Sequence, residues 1–120
     1  MTIAEQIRNG RVSLKYTLIY SRIMFPALYS VIEGRTWTVQ PSPDESKENI
    51  AIRHALKGLQ GAGYLRMVWV GPQRVKFLPT QKLLEDLEKA AAELHNRPAR
   101  QLLVERLLKR LKALYEEANT

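Results

Sequence analysis

The chain has 120 residues, enough for one domain with a real core, and 45% hydrophobic against 26% charged residues is the balance of an ordinary globular fold. It holds no cysteine, which excludes disulfides, thiolate metal sites and thiol chemistry. The formal charge of +7 is uneven, with 11 Lys and Arg against 5 Asp and Glu in residues 1–80 and 8 against 7 in residues 81–120, so the basic excess that would draw a polyanion lies in the first two-thirds.

Thr2 and Glu5 form a capping-box pattern, which predicts a short helix over residues 3–9 stopped by Asn9-Gly10. No basic segment followed by an apolar run opens the chain, so no secretory leader is expected and the protein reads as cytoplasmic. From Ser13 to Met24 the apolar residues Leu14, Leu18, Ile19 and Ile23 recur at helical spacing. Pro26 disfavours helical geometry at Phe25, so the helix either kinks there or restarts with proline in its first turn, and Gly34 ends it. Lys15, Arg22 and Pro26 interrupt this apolar stretch too often for a membrane span, which needs about 20 apolar residues. The tyrosines between residues 16 and 29 are expected to pack.

Residues 35–40 switch to period two, with Trp37 and Val39 on one face of a short strand. Ser42-Pro43-Asp44-Glu45 is a second capping box and predicts a helix start; Ser46 is an alternative cap, so one long helix or two short ones fit. On the helix that follows, Ile52, Ala55, Leu56, Leu59 and Ala62 gather on one side. The opposite side collects Ser46, Lys47, Ile50, Arg53, His54 and Lys57, and Gly61 and Gly63 stop the helix. Residues 64–70 and 74–79 read as strands joined by Gly71-Pro72-Gln73, an antiparallel pair in which Trp69, like Trp37, is expected in the core.

Thr80 caps another helix with the stripe Leu83, Leu84, Leu87, Ala90, Ala91 and Leu94. Asn96 and Pro98 predict one more helix start. The last helix is apolar over Leu103, Val104, Leu107, Leu108, Leu111, Leu114 and Tyr115, a face of roughly 140° that is wider than one neighbour requires.

The order helix, helix, strand, helix, strand, tight turn, strand, helix is that of a winged helix-turn-helix. Over residues 35–95 the chain resembles winged-helix regulators of the PadR and MarR type. Their Ala-Leu-x-x-Leu-x-x-x-Gly run is matched by Ala55, Leu56, Leu59 and Gly63 with Tyr64 and Leu65 following, and their capped exit from the wing by Phe77, Leu78 and Thr80, with Pro79 placed before the threonine. The resemblance implies an α+β, mostly helical fold: a winged-helix DNA-binding unit with its N-terminal helix in residues 1–80 and a helical extension for dimerisation in residues 81–120, in one compact unit. It departs from the pattern in a very short wing and in Asp44, Glu45 and Glu48 at the start of the recognition helix, acids that suit the positive end of a helix dipole but repel phosphates.

The expected function is double-stranded DNA binding as a homodimeric transcriptional regulator. Lys47, Arg53, His54 and Lys57 are the expected groove-facing residues, because a helix in the major groove needs an apolar side to root it and donors opposite. Arg66, Arg74 and Lys76 are expected on the phosphate backbone. Leu103, Leu107, Leu108, Leu111, Leu114 and Tyr115 are the expected dimer interface, the alternative being that the last helix folds back on its own domain. A protein-interaction adaptor or inhibitor, and a plasmid or phage replication or partition protein, are competing readings. No catalysis, metal or cofactor is expected, since His54 and His95 lack partners in sequence and no phosphate loop or ligand spacing occurs.

Overall fold

The computed structural model describes residues 3–11 and 13–119; the Thr2 half of the first capping box lies outside them. In chain order the elements are α1 (Ile3–Arg8), α2 (Leu14–Tyr20), α3 (Met24–Ile32), β1 (Thr36–Thr38), α4 (Lys47–Gly61), β2 (Leu65–Gly71), β3 (Arg74–Pro79), α5 (Gln81–Glu93) and α6 (Pro98–Ala118). The class is α+β, mostly helical, with one small antiparallel sheet, an arrangement compatible with a winged helix.

Local chemistry sets most boundaries. The Ser13 hydroxyl accepts the Tyr16 N–H at 3.1 Å and starts α2. The chain leaves helical geometry at Ser21 and restarts at Met24, so Pro26 falls in the first turn of α3, where its missing N–H costs nothing. Restart, not kink, resolves that alternative. At the end of α4, Gly63 takes a φ of +87°, its N–H bonds to the Gln60 carbonyl at 3.1 Å, and the Tyr64 N–H reaches the Leu59 carbonyl at 2.9 Å. That is the Schellman closure a left-handed glycine permits. Lys82 adds its ammonium to the Ala62 carbonyl at 2.6 Å, a cation at the negative end of the helix.

The sheet order is β1-β3-β2, so β3 is central and β2 forms the long edge. Trp37 pairs with Val75, and Met67 with Phe77, on the face turned toward the helices, where Trp37, Val75, Phe77 and Leu65 are buried. The β2–β3 hairpin turns through Pro72 and Gln73, the latter at a φ of +58° that glycine usually occupies.

Residues 42–45 form a turn instead of the expected helix. Ser46 is the cap of α4, accepting the Asn49 N–H at 3.1 Å, and Glu45 is drawn away from any capping role by Arg53. Further along, Arg97 and not Asn96 precedes α6, with Pro98 in its first turn.

α5 buries its whole expected stripe. Thr80 caps it at the Leu83 N–H and also donates to the Gly63 carbonyl at 2.7 Å, joining the end of the sheet to the end of α4. α6 folds back across α5, α3 and β3. Val104, Leu107, Leu108 and Leu111 lie in the chain's own core, and Leu114 and Tyr115 pack half-buried against it. The dimer interface expected on this helix is therefore corrected: of the six residues named, only Leu103 remains exposed, at 40%. A fully buried leucine gains about 1.5–3 kcal/mol by leaving water, and here a neighbour within the same chain supplies the burial.

Candidate nucleic-acid interface

α4 presents two unlike sides. Ile52, Ala55, Leu56, Gly58 and Leu59 are buried against the rest of the molecule. Lys47, Ile50, His54 and Lys57 follow one another at intervals of three or four residues along the opposite side, and all are exposed. Among the described residues, the side chains of Lys47, His54 and Lys57 have no hydrogen-bond or ion-pair partner. From Lys47 to Lys57 the stripe rises about 15 Å, at roughly 1.5 Å per residue step.

Arg53, expected on that stripe, is not part of it. It is only 6% exposed and turned inward. Its Nε and Nη2 donate to Glu45 Oε1 at 3.2 and 2.9 Å, and its Nη1 donates to the Thr38 carbonyl at 2.5 Å. Its guanidinium stands 5.2 Å from the centre of the Trp37 ring, while Arg35 stacks on the same ring at 3.8 Å. Arg35 also donates to Asn49, and Asn49 donates to Glu45. The physical reason for the correction is this polar cluster: a planar donor fork finds a carboxylate in the turn that precedes its own helix and a carbonyl at the end of β1. The hydrogen-bonded guanidinium of Arg53 holds the Glu45 carboxyl below the usual carboxylate range. Burial opposes this, and the positive charge of Arg53, the Asn49 hydrogen bond and the positive charge of Arg35 reinforce it. Glu45 Oε2 is buried and accepts no hydrogen bond within the described residues.

The sheet carries the remaining expected cations. Pairing of Arg66 with Leu78 and of Val68 with Lys76 places Arg66, Lys76 and Arg74 on the face opposite Trp37, Val75 and Phe77. Arg66 and Arg74 are exposed and Lys76 is half-buried; none has an ion-pair partner among the described residues. Arg74 also borders an open depression of about 380 Å³ lined by Arg35, Asp44, Glu45 and Asn49, so two of the three acids noted in the sequence sit beside one end of the basic surface.

Two aromatic expectations are corrected. Trp69 is 63% exposed instead of buried, because β2 is an edge strand whose distal half, Met67 and Val70 included, lies uncovered. Tyr16 and Tyr20 are exposed and pack on each other, ring centres 4.7 Å apart, whereas Tyr29 packs against the core as expected. The clue to Trp69 lay in the unbroken apolar run Met67–Val70, where alternation fails and both strand faces cannot be covered by one layer of helices.

His54 and His95 are both exposed, and no group of three or more His, Asp or Glu among the described residues is placed to hold a metal ion. Among the described residues no helix is long and apolar enough to cross a membrane. No protein-family model, curated protein or solved structure matches the chain.

Proposed function

We propose that this protein is a cytoplasmic winged-helix protein that binds double-stranded DNA as a transcriptional regulator, with the outer stripe of α4 in the major groove. The observation that carries the reading is the row of unpaired, solvent-facing Lys47, His54 and Lys57 on a helix rooted by leucines. Its length of about 15 Å suits a groove about 12 Å wide. Ile50, exposed between the cations, is positioned to meet a thymine methyl. Arg66, Arg74 and Lys76 are the phosphate contacts, and Arg53 serves to hold the helix. Affinity then comes largely from displaced counterions and falls steeply with salt.

The test is a titration of random duplex and of genomic fragments at two salt concentrations. Wild type should bind in low salt, the double variant Lys47→Ala with Lys57→Ala should bind more weakly, and Arg66→Ala with Arg74→Ala should reduce the salt slope by about two, one for each lost phosphate contact. Absence of binding by a folded wild type in low salt sinks the reading. An adaptor or inhibitor that meets another protein would then take its place, a reading favoured by the bare apolar residues of β2.

A further inference from the structure

β2 bounds the sheet and has no strand beyond it. The bond from the Thr80 N–H to the Tyr64 carbonyl, 3.1 Å, makes these two a hydrogen-bonded pair of the antiparallel ladder. Alternation then assigns Arg66 and Val68 to bonded pairs with Leu78 and Lys76. The main-chain N–H and C=O of Met67 and Trp69 therefore point away from β3, toward the open side. The other flank of the sheet agrees: the Val39 N–H bonds the Gln73 carbonyl, so Val75 directs its main chain at β1 and not at Trp69. Trp69, Met67 and Val70 are all exposed on this strand, and Arg66 is its only charge. Native edges are normally blunted by lysine, proline or brevity. β1 is blunted by its length of three residues, whereas β2 runs for seven with no lysine or proline, and its one bulge falls beyond Trp69, between Trp69 and Gly71.

We propose that two copies of the chain join through β2, antiparallel about a two-fold axis at Val68, so that their three-stranded sheets become one. In this register Met67 of each copy faces Trp69 of the other, and these are the residues whose main-chain groups are turned outward. Each pair exchanges both of its hydrogen bonds and sets a thioether against an indole. Val68 meets its own copy, a β-branched pair on the opposite face. Arg66 falls opposite Val70 of the second copy, so no like charges meet. The strand is thus complementary to itself, while its single cation offers little to an acidic peptide. The association also closes at two, because each copy spends its one long edge and keeps only the three-residue β1 edge. The inference concerns the protein alone and stands apart from the DNA reading.

Light scattering at micromolar concentration should give twice the chain mass. Trp69→Lys should halve it while leaving the circular dichroism spectrum unchanged, since the indole is 63% exposed in the single chain. Val68→Cys, in a chain with no other cysteine, should cross-link under mild oxidation, because an unbonded antiparallel pair holds its Cα atoms about 4.5 Å apart, within disulfide reach. Gln73→Cys at the hairpin tip should form no covalent cross-link under the same treatment. A monomeric wild type overturns the proposal, as does a dimer that survives Trp69→Lys or that Leu103→Lys on α6 dissociates instead. A monomer whose duplex binding disappears with Trp69→Lys also overturns it, making β2 a nucleic-acid contact. None of these failures touches the Lys47 and Lys57 titration.

Discussion

Arg53 and Lys57 stand one turn apart on α4, carry the same charge, and end in opposite surroundings. Lys57 faces solvent without a partner; Arg53 is enclosed by Glu45, Thr38 and Trp37. Helical spacing puts the two on neighbouring faces, so spacing alone does not separate them. What separates them is reach and partner. Arg53 borders the buried flank, its fork is planar, and the turn before the helix delivers a carboxylate to it. A basic residue on a candidate recognition helix is thus a contact for a polyanion only if no acid of its own chain has claimed it. The inner flank of α4 is where the fold is held, and the outer stripe is free.

The strongest way to break this division is to cut into the inner flank. Leu56 is wholly buried, and Leu56→Ala should cost about 2–5 kcal/mol in chemical denaturation. A cost no greater than that of a surface substitution would deny that this side roots the helix. Next in size, Arg53→Ala leaves Glu45 buried without its cation and should lower the melting temperature well below that of Lys57→Ala. Arg53→Lys keeps the charge but loses the fork, so it too should melt earlier than Lys57→Arg, and its folded fraction should bind duplex as wild type does. Loss of binding in folded Arg53→Lys would return Arg53 to the interface.

Acid sharpens the comparison. Glu45 is held below its ordinary range in the folded chain, so its contribution is fully present above the unfolded value, about pH 4.3 for a glutamate. It is lost as pH falls through the lower folded value. A melting series across that interval should therefore steepen in wild type and flatten in Glu45→Gln; equal steepness in both would assign the acid sensitivity to other carboxylates. The smallest effect belongs to the outer stripe. Lys47→Ala and Lys57→Ala should each change stability by no more than about 0.5 kcal/mol, read from urea midpoints at unchanged slope.

What the chain discloses in one dimension follows the same division between local and distant causes. Thr80 as a cap, Gly63 as a stop and the leucines of α5 were all legible, because each is decided within a few residues of itself. The order of the strands and helices was legible for the same reason. Arg53 was not, since its carboxylate lies eight residues back across a turn that looks like a helix start. Nor was the fate of α6: a wide apolar face fits a second copy or the chain's own core equally well until α3, α5 and β3 are seen to cover it. For Trp69 the run Met67–Val70 signals that one face stays uncovered, but which residues are left bare follows from the edge position of β2, a property of topology.

The single bond from Arg53 to the Thr38 carbonyl has a bearing on how such a surface changes over generations. It moors the helix to the neighbouring strand by a residue that takes no part in the outward row, so the pose of the helix and the chemistry it displays are inherited separately. Mutation can therefore rewrite the displayed residues one at a time, and drift toward a new target, while the mooring keeps the rest of the molecule in register.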